Sequence, residues 1–238
     1  MIYTVKIENV LFLDIETVPQ FKEYNLIPDE LKNLWDHKAQ YLIKSENDNP
    51  ETLYERAGIY AEFGKIICIS VGLFHGQSLY IKSFAGDNEY KILEDFSMLL
   101  NKSFDKKESL LCAHNGKEFD FPYISRRMLI NGIKLPVILN IAGCKPWEVR
   151  HLDTMELWKF GDHKNYTSLE LLTSIFGIES PKDNMHGREV AGAYWNDNDL
   201  SRIVIYCQKD VVALAQLFRK YRGEEIIAPD QIKIIENS

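Results

Sequence analysis

The sequence places two carboxylates, Asp14 and Glu16, one residue apart at the end of the apolar run 10–13, in the stretch VLFLDIET. Large apolar residues closing in charge are the pattern of a buried strand that delivers acids to the end of a sheet. A strand alternates its faces, so Asp14 and Glu16 point the same way. Like charges at the edge of a hydrophobic core are costly unless something positive lies between them, and a divalent cation can supply that charge. Taken alone, the segment also reads as a strand running into an acidic turn.

Two further junctions carry acids. Asp120, in CAHNGKEFDFPY, precedes a helix containing Pro122. Asp is a favoured N-cap and Pro is tolerated in a first turn, so a capping role stands beside a chemical one. In IYCQKDVVALAQLF, Tyr206 and Asp210 are four apart and share a helical face. A tyrosine hydroxyl meeting an acid on a helix surface would look the same, but Ile203, Val204, Val211 and Val212 set this pair near the core. In an α/β sheet, sites gather where strands end and helices begin.

The elements that must position these groups follow from periodicity. Residues 66–74 (IICISVGLF) and 78–84 flank a His75-Gly76 turn and predict a hairpin, which should pair with the first strand. Residues 110–113 predict a short buried strand, and 149–153 a further one, with a possible short strand at 231–235 in the tail. Helices are expected over 29–43, 51–60, 89–100, 121–130, 168–176 and 198–221. Val18-Pro19 breaks the first strand pattern, 20–64 reads as a helical insertion, and 177–187 as a loop. The expected architecture is α/β, a mixed five-stranded sheet flanked by helices. Residues 1–222 would form one domain and 223–238 a C-terminal tail.

Four acids on three elements, with a tyrosine beside the last, resemble the DEDD superfamily of 3′–5′ exonucleases in its Tyr-containing subgroup. DIET matches the first motif with Asp14 and Glu16, HNGKEFDFPYISRR the second with Asp120, and YCQKD the third with Tyr206 and Asp210. The histidine subgroup would need His at the position of Ile205. The second motif resembles the form in family-B DNA polymerase proofreading domains, and the segment SPKDNMHGREV, 180–190, resembles that of stand-alone exonucleases related to those domains. The 20–64 insertion departs from that pattern.

The resemblance implies an RNase H-like fold and two-metal phosphodiester hydrolysis with Mg²⁺ or Mn²⁺, for which oxygen ligands are suited. On this basis Asp14, Glu16, Asp120 and Asp210 are the metal ligands and Tyr206 orients the attacking water. Substrate contacts are expected from the Thr17 backbone N–H, from Asn115 and from Lys182. The alternatives for the last two are an Asn-Gly turn and a solvated loop lysine. Arg126 or Arg127 is a candidate for the strand path, and Phe119, Phe121, Trp147 and Tyr166 are stacking or core residues. Asp153 is expected to cap the helix after it.

Composition narrows the classes. The chain has 238 residues, 45% of them hydrophobic, enough for a sizeable core, and a net charge of −7, which argues against a generally basic nucleic-acid coat. Four scattered cysteines form no C-x-x-C and suit a reducing cytosol. No apolar run reaches membrane-spanning length, so a cytoplasmic protein with no membrane partner is expected. The expected partners are single-stranded DNA, with RNA as the alternative, and replication or repair proteins as candidates. An aspartate-nucleophile phosphatase is disfavoured by Glu16 at the third position of DIE. A scaffold that keeps the fold without activity is the rival outside enzymes.

Overall fold

A computed structural model describes residues 2–162, 166–179 and 185–235. Its elements run β1 (Val10–Pro19), α1 (Asp29–Gln40), α2 (Pro50–Leu53), β2 (Gly64–His75), β3 (Ser78–Ala85), α3 (Glu89–Ser103), β4 (Leu110–Ala113), α4 (Asp120–Ile130), β5 (Leu152–Asp153), α5 (Thr154–Lys159), α6 (Leu169–Ile175), α7 (Val190–Trp195), α8 (Leu200–Tyr221) and β6 (Ile232–Ile235). The strands form one mixed sheet in the order β5-β4-β1-β2-β3-β6. β1, β2 and β3 pair antiparallel in succession, whereas β4 runs parallel to β1, β5 to β4 and β6 to β3.

The sheet therefore has six strands where five were expected. The sixth comes from the tail, where Leu79 to Lys82 of β3 pair with Ile232 to Ile235. Ile227 packs among the α8 residues Leu214 and Phe218, and its N–H and carbonyl are held by the Gln216 side chain at 2.7 and 3.1 Å.

Helices cover both faces because β1 and β2 are apolar on both. Leu11, Leu13 and Ile15 pack with Leu93 and Phe96 of α3 and Ile124 and Met128 of α4. Val10 and Phe12, on the opposite face, pack with Val211, Leu214 and Phe218 of α8. The insertion builds its own small core, with Trp35 of α1 fully buried against Tyr54, Ala57 and Phe63. β1 does not stop at Val18-Pro19. A bulge shifts its register after Glu16, and Thr17, Val18 and Pro19 then pair with Ile66, Lys65 and Gly64. Proline is tolerated at this last strand position. The expected loop 177–187 lies partly outside the described residues, and α7, which begins at Val190, was indicated by no periodicity signal.

Candidate active site

On the face of β1 turned to α8, the row Val10, Phe12, Asp14, Glu16, Val18 is apolar at both ends. Val10 and Phe12 join one α8 cluster, and Val18 joins another containing Ile203, Tyr206 and Cys207. The two carboxylates occupy the gap between these patches, so strand period alone turns both toward α8. Glu16 keeps only 7% of its surface exposed.

α8 reaches them because the neighbouring row of β2, Cys68, Ser70 and Gly72, is small. A methyl group at Gly72 would meet Val211 Cγ1 at 2.8 Å, so the helix lies close against the sheet here. That approach sets Tyr206 and Asp210, each 8% exposed, beside the β1 acids. Tyr206 shares a hydrogen bond with Asp210.

Asp120 arrives from the other side. β4 is four residues long and pairs with β1 only over Val10 to Phe12, which leaves the next inward amide of β1 without a strand partner. The Asp120 carboxylate accepts the Ile15 N–H, which ties the first turn of α4 to β1. The N-cap of α4 is Phe119, and Asp120 is 4% exposed, so the capping reading gives way to a contact with the central strand.

The loop bearing Asp120 is organised by Asp153. Its carboxylate caps α5, accepting the Met155 and Glu156 N–H groups at 3.0 and 3.2 Å. It also accepts those of Asn115 and Lys117 at 3.0 and 3.1 Å. Asn115 adopts φ +63°, and a Cβ at Gly116 would lie 2.4 Å from that of Ala113, so only glycine fits there. Asp153 thus adds to the charge near Asp120 without joining β1.

Four acids converge: Asp14, Glu16, Asp120 and Asp210. Oxygens of Asp14 and Glu16 and the Cys207 sulfur lie within 4.8 Å of one another. Burial, then Asp210, Glu16 and Asp120, push the Asp14 carboxyl well above its ordinary range. Burial and Asp210 act likewise on Glu16. Asp120 is pushed up to about 7, first by burial and then by Asp153 and Asp210. Desolvation and neighbouring acids raise these three carboxyls, against the Cys207 thiol at Asp14 and the Ile15 N–H at Asp120, and a cluster of hard oxygen donors in this state fits a divalent cation. Burial, followed by the charge of Asp210, pushes the Tyr206 phenol far up, so it keeps its proton.

The other expected contacts separate. Thr17 lies just past the bulge, and its side chain bonds Tyr123 Oη, which donates to the Gly58 carbonyl at 2.7 Å. Asn115 Oδ1 is buried and has no hydrogen-bond partner among the described residues. Lys182 lies outside the described residues, as do positions 180–184 of the motif that contains it. Arg127 does not face a strand path. It is buried in an ion pair with Glu89, while Arg126 lines a cavity of about 440 Å³ between α4 and α5. Phe121 is core, Phe119 packs on Tyr123, and Trp147 and Tyr166 are exposed. Cys207 was missed because a lone cysteine in an apolar helix carries no chemical signal. Its place one residue after Tyr206 was the only available clue.

A family model of the RNase H superfamily matches residues 54–222, a span that holds Asp120, Tyr206 and Asp210 and begins after Asp14 and Glu16. The chain belongs to the RNase H superfamily. Among curated proteins it is similar to the DNA polymerase of Pyrococcus glycovorans, 25% identical over 194 residues that make up 72% of this chain and 24% of the relative. The DNA polymerase of Desulfurococcus sp. (strain Tok) is 24% identical over the same shares. The family B DNA polymerase of the hyperthermophilic archaeon Pyrobaculum calidifontis aligns over 87% of this chain and 24% of that one, with 16% identity and a TM-score of 0.48. The chain therefore spans about a quarter of these polymerases. Within the superfamily it is a DEDD-type exonuclease-like domain. Among the described residues no helix is long and apolar enough to cross a membrane.

Proposed function

We propose that this RNase H-like domain is a metal-dependent 3′–5′ exonuclease that removes nucleoside monophosphates from the end of single-stranded DNA. The observation that carries the reading is the convergence of Asp14, Glu16, Asp120 and Asp210 from three elements, with Tyr206 bonded to the last of them. The similarity to DNA polymerases over 72% of the chain supports DNA as the polymer.

Asp14, Glu16, Asp120 and Asp210 would hold two divalent cations, Mg²⁺ or Mn²⁺. When bound, these supply an activated water, charge neutralisation on the phosphate and a stabilised leaving oxygen. The residues do the rest. Tyr206 keeps its phenolic proton and, held by Asp210, orients the attacking water as a hydrogen-bond donor rather than as a base. Asp120, bonded to the Ile15 amide, keeps α4 at a constant distance from β1. The Thr17 backbone N–H meets the terminal 3′-hydroxyl, and the Asn115 amide and Lys182 contact the sugar-phosphate chain. We further infer a working partnership with replication or repair proteins in the cytoplasm.

The test is cleavage of 5′-labelled DNA and RNA single strands of one sequence with Mg²⁺ or Mn²⁺, beside an Asp14→Ala/Asp210→Ala control. The expected result is a DNA ladder shortening from the 3′ end and absent in the control. A faster RNA ladder would move the substrate to RNA, and binding with no metal-dependent cleavage would make the chain a scaffold.

A further inference from the structure

Behind the acidic cluster runs a line of polar atoms, half-buried at Gln208 and buried from Ser83 onward to Cys207. Gln208 Nε2 donates to Ser83 Oγ at 3.0 Å, Ser83 Oγ meets Ser70 Oγ at 2.8 Å, and Ser70 Oγ meets Cys68 Sγ at 3.6 Å. Cys68 in turn bonds Cys207. Cys207 Sγ lies 3.3 Å from Asp14 Oδ2 and 3.4 Å from the Asp14 carbonyl. The line leaves α8 at Gln208, crosses β3 and β2, returns to α8 at Cys207 and ends on β1.

Close packing of α8 requires small residues at Cys68, Ser70 and Gly72, but it does not require polar ones at Cys68 and Ser70, where alanine would also be small. Buried polar atoms are retained at a cost unless they are bonded, and the five side chains Gln208, Ser83, Ser70, Cys68 and Cys207 are bonded in series. Their common end is one oxygen of Asp14. A carboxylate on a strand has a loose terminal torsion, and the acids around Asp14 repel it, so its orientation needs a donor. Among the described residues the thiol is the side chain seen donating to it.

We propose that Cys207 is a positioning residue for Asp14: its S–H, oriented by the Cys68–Ser70–Ser83–Gln208 line, holds the Asp14 carboxylate in the rotamer that faces Glu16. The inference rests on the nuclease reading of the site and concerns the affinity of the acids for a cation, not the chemical step. Residues bonded to a ligand's free oxygen typically alter metal affinity or activity by about 10–100-fold when removed. A thiol is a weak donor, which sets the expectation at the lower end.

The experiment is Mn²⁺ titration followed by electron paramagnetic resonance on the full chain, Cys207→Ala and Cys207→Ser, with thermal melts of each. The expected result is Mn²⁺ binding weakened about tenfold in Cys207→Ala and restored in Cys207→Ser, which keeps a donor. Cleavage by Cys207→Ala should recover at saturating Mn²⁺. If Cys207→Ala melts early, Cys207→Val supplies the bulk without the donor. Unchanged Mn²⁺ affinity in the donorless variants, or Cys207→Ser as weak as Cys207→Ala, would overturn the proposal. So would a Cd²⁺–thiolate charge-transfer band that vanishes in Cys207→Ala, because the sulfur would then be a ligand. A natural chain that neither binds Mn²⁺ nor cleaves would take the nuclease reading down as well. A natural chain that does both while Cys207→Ala matches it would overturn only the role of the thiol.

Discussion

Two buried polar clusters sit on opposite faces of the same sheet, and they are built on opposite rules. Under α3 and α4, Glu89 accepts Arg127 Nε at 2.8 Å, a second Arg127 nitrogen, the Ile66 N–H at 2.7 Å and Asn131 Nδ2 at 3.1 Å. Arg127 Nη1 also donates to the Ala61 carbonyl at 2.8 Å. Charge and hydrogen bonds close within the protein, and the cluster clamps α4 to α3 and to the start of β2. Under α8, Asp14, Glu16, Asp120 and Asp210 gather, and burial and the neighbouring acids push up the carboxyls of the first three. A cluster that balances itself is structure, whereas a cluster of like charge held together by the fold awaits something from outside.

Four measurements sharpen or break this contrast. Replacing an acid of the second cluster, as in Asp210→Asn, should lower cleavage of a 5′-labelled single strand by at least about a thousandfold, or ~4 kcal/mol of barrier. The same change should leave the melting temperature of the cation-free chain unchanged or higher, because repulsion is relieved. Glu89→Gln or Arg127→Leu should do the reverse, destabilising the fold by ~3–5 kcal/mol in denaturant titration because one buried charge is left unpaired. Equal stability losses in the two clusters would erase the distinction.

His151 belongs with the balanced groups. Its Nδ1 accepts the Leu111 N–H at 3.4 Å and its Nε2 donates to the Ile138 carbonyl at 2.9 Å, an arrangement that requires the neutral ring. Burial depresses its pKa from 6.5 to about 4. The unfolded chain therefore binds more protons between these values. Stability from this group is whole above pH ~6.5 and is lost as pH falls toward ~4, by up to ~3 kcal/mol. Urea melts across that range in the natural chain and in His151→Gln should differ in slope, and parallel curves would count against it. The smallest effect is expected at Tyr206→Phe. On the proposed roles it removes the donor that orients the attacking water and leaves the cation ligands in place, so cleavage should fall about tenfold, ~1.4 kcal/mol, with Mn²⁺ affinity preserved.

The parts of the site that follow a local period were readable before any coordinates. Strand alternation put Asp14 and Glu16 on one face, and helical spacing put Tyr206 beside Asp210. The turn at Asn115 and Gly116 marked a junction. The signals that failed were those with no local period. Arg127 looked free for a substrate because its partner, Glu89, lies 38 residues away. β1 continues through Pro19 because the insertion returns at Gly64 to pair with it, and the tail becomes a strand only because β3 offers it an open edge. Asp120 looked like a cap, and it is the shortness of β4 that gives its carboxylate the Ile15 amide instead.

Which side chains share a face was legible from residue order, because the 2.0 and 3.6 residue periods of strand and helix are properties of the backbone. So was the chemical class of those side chains, four acids and a phenol. That the faces meet follows from the packing of the folded chain. The small row Cys68, Ser70, Gly72 lets α8 close onto β1, the short β4 admits Asp120, and Cys207 comes within hydrogen-bonding distance of Asp14 across 193 residues of chain. Such contacts depend on sheet order and on how closely two surfaces can pack, and neither is written in the neighbourhood of any one residue.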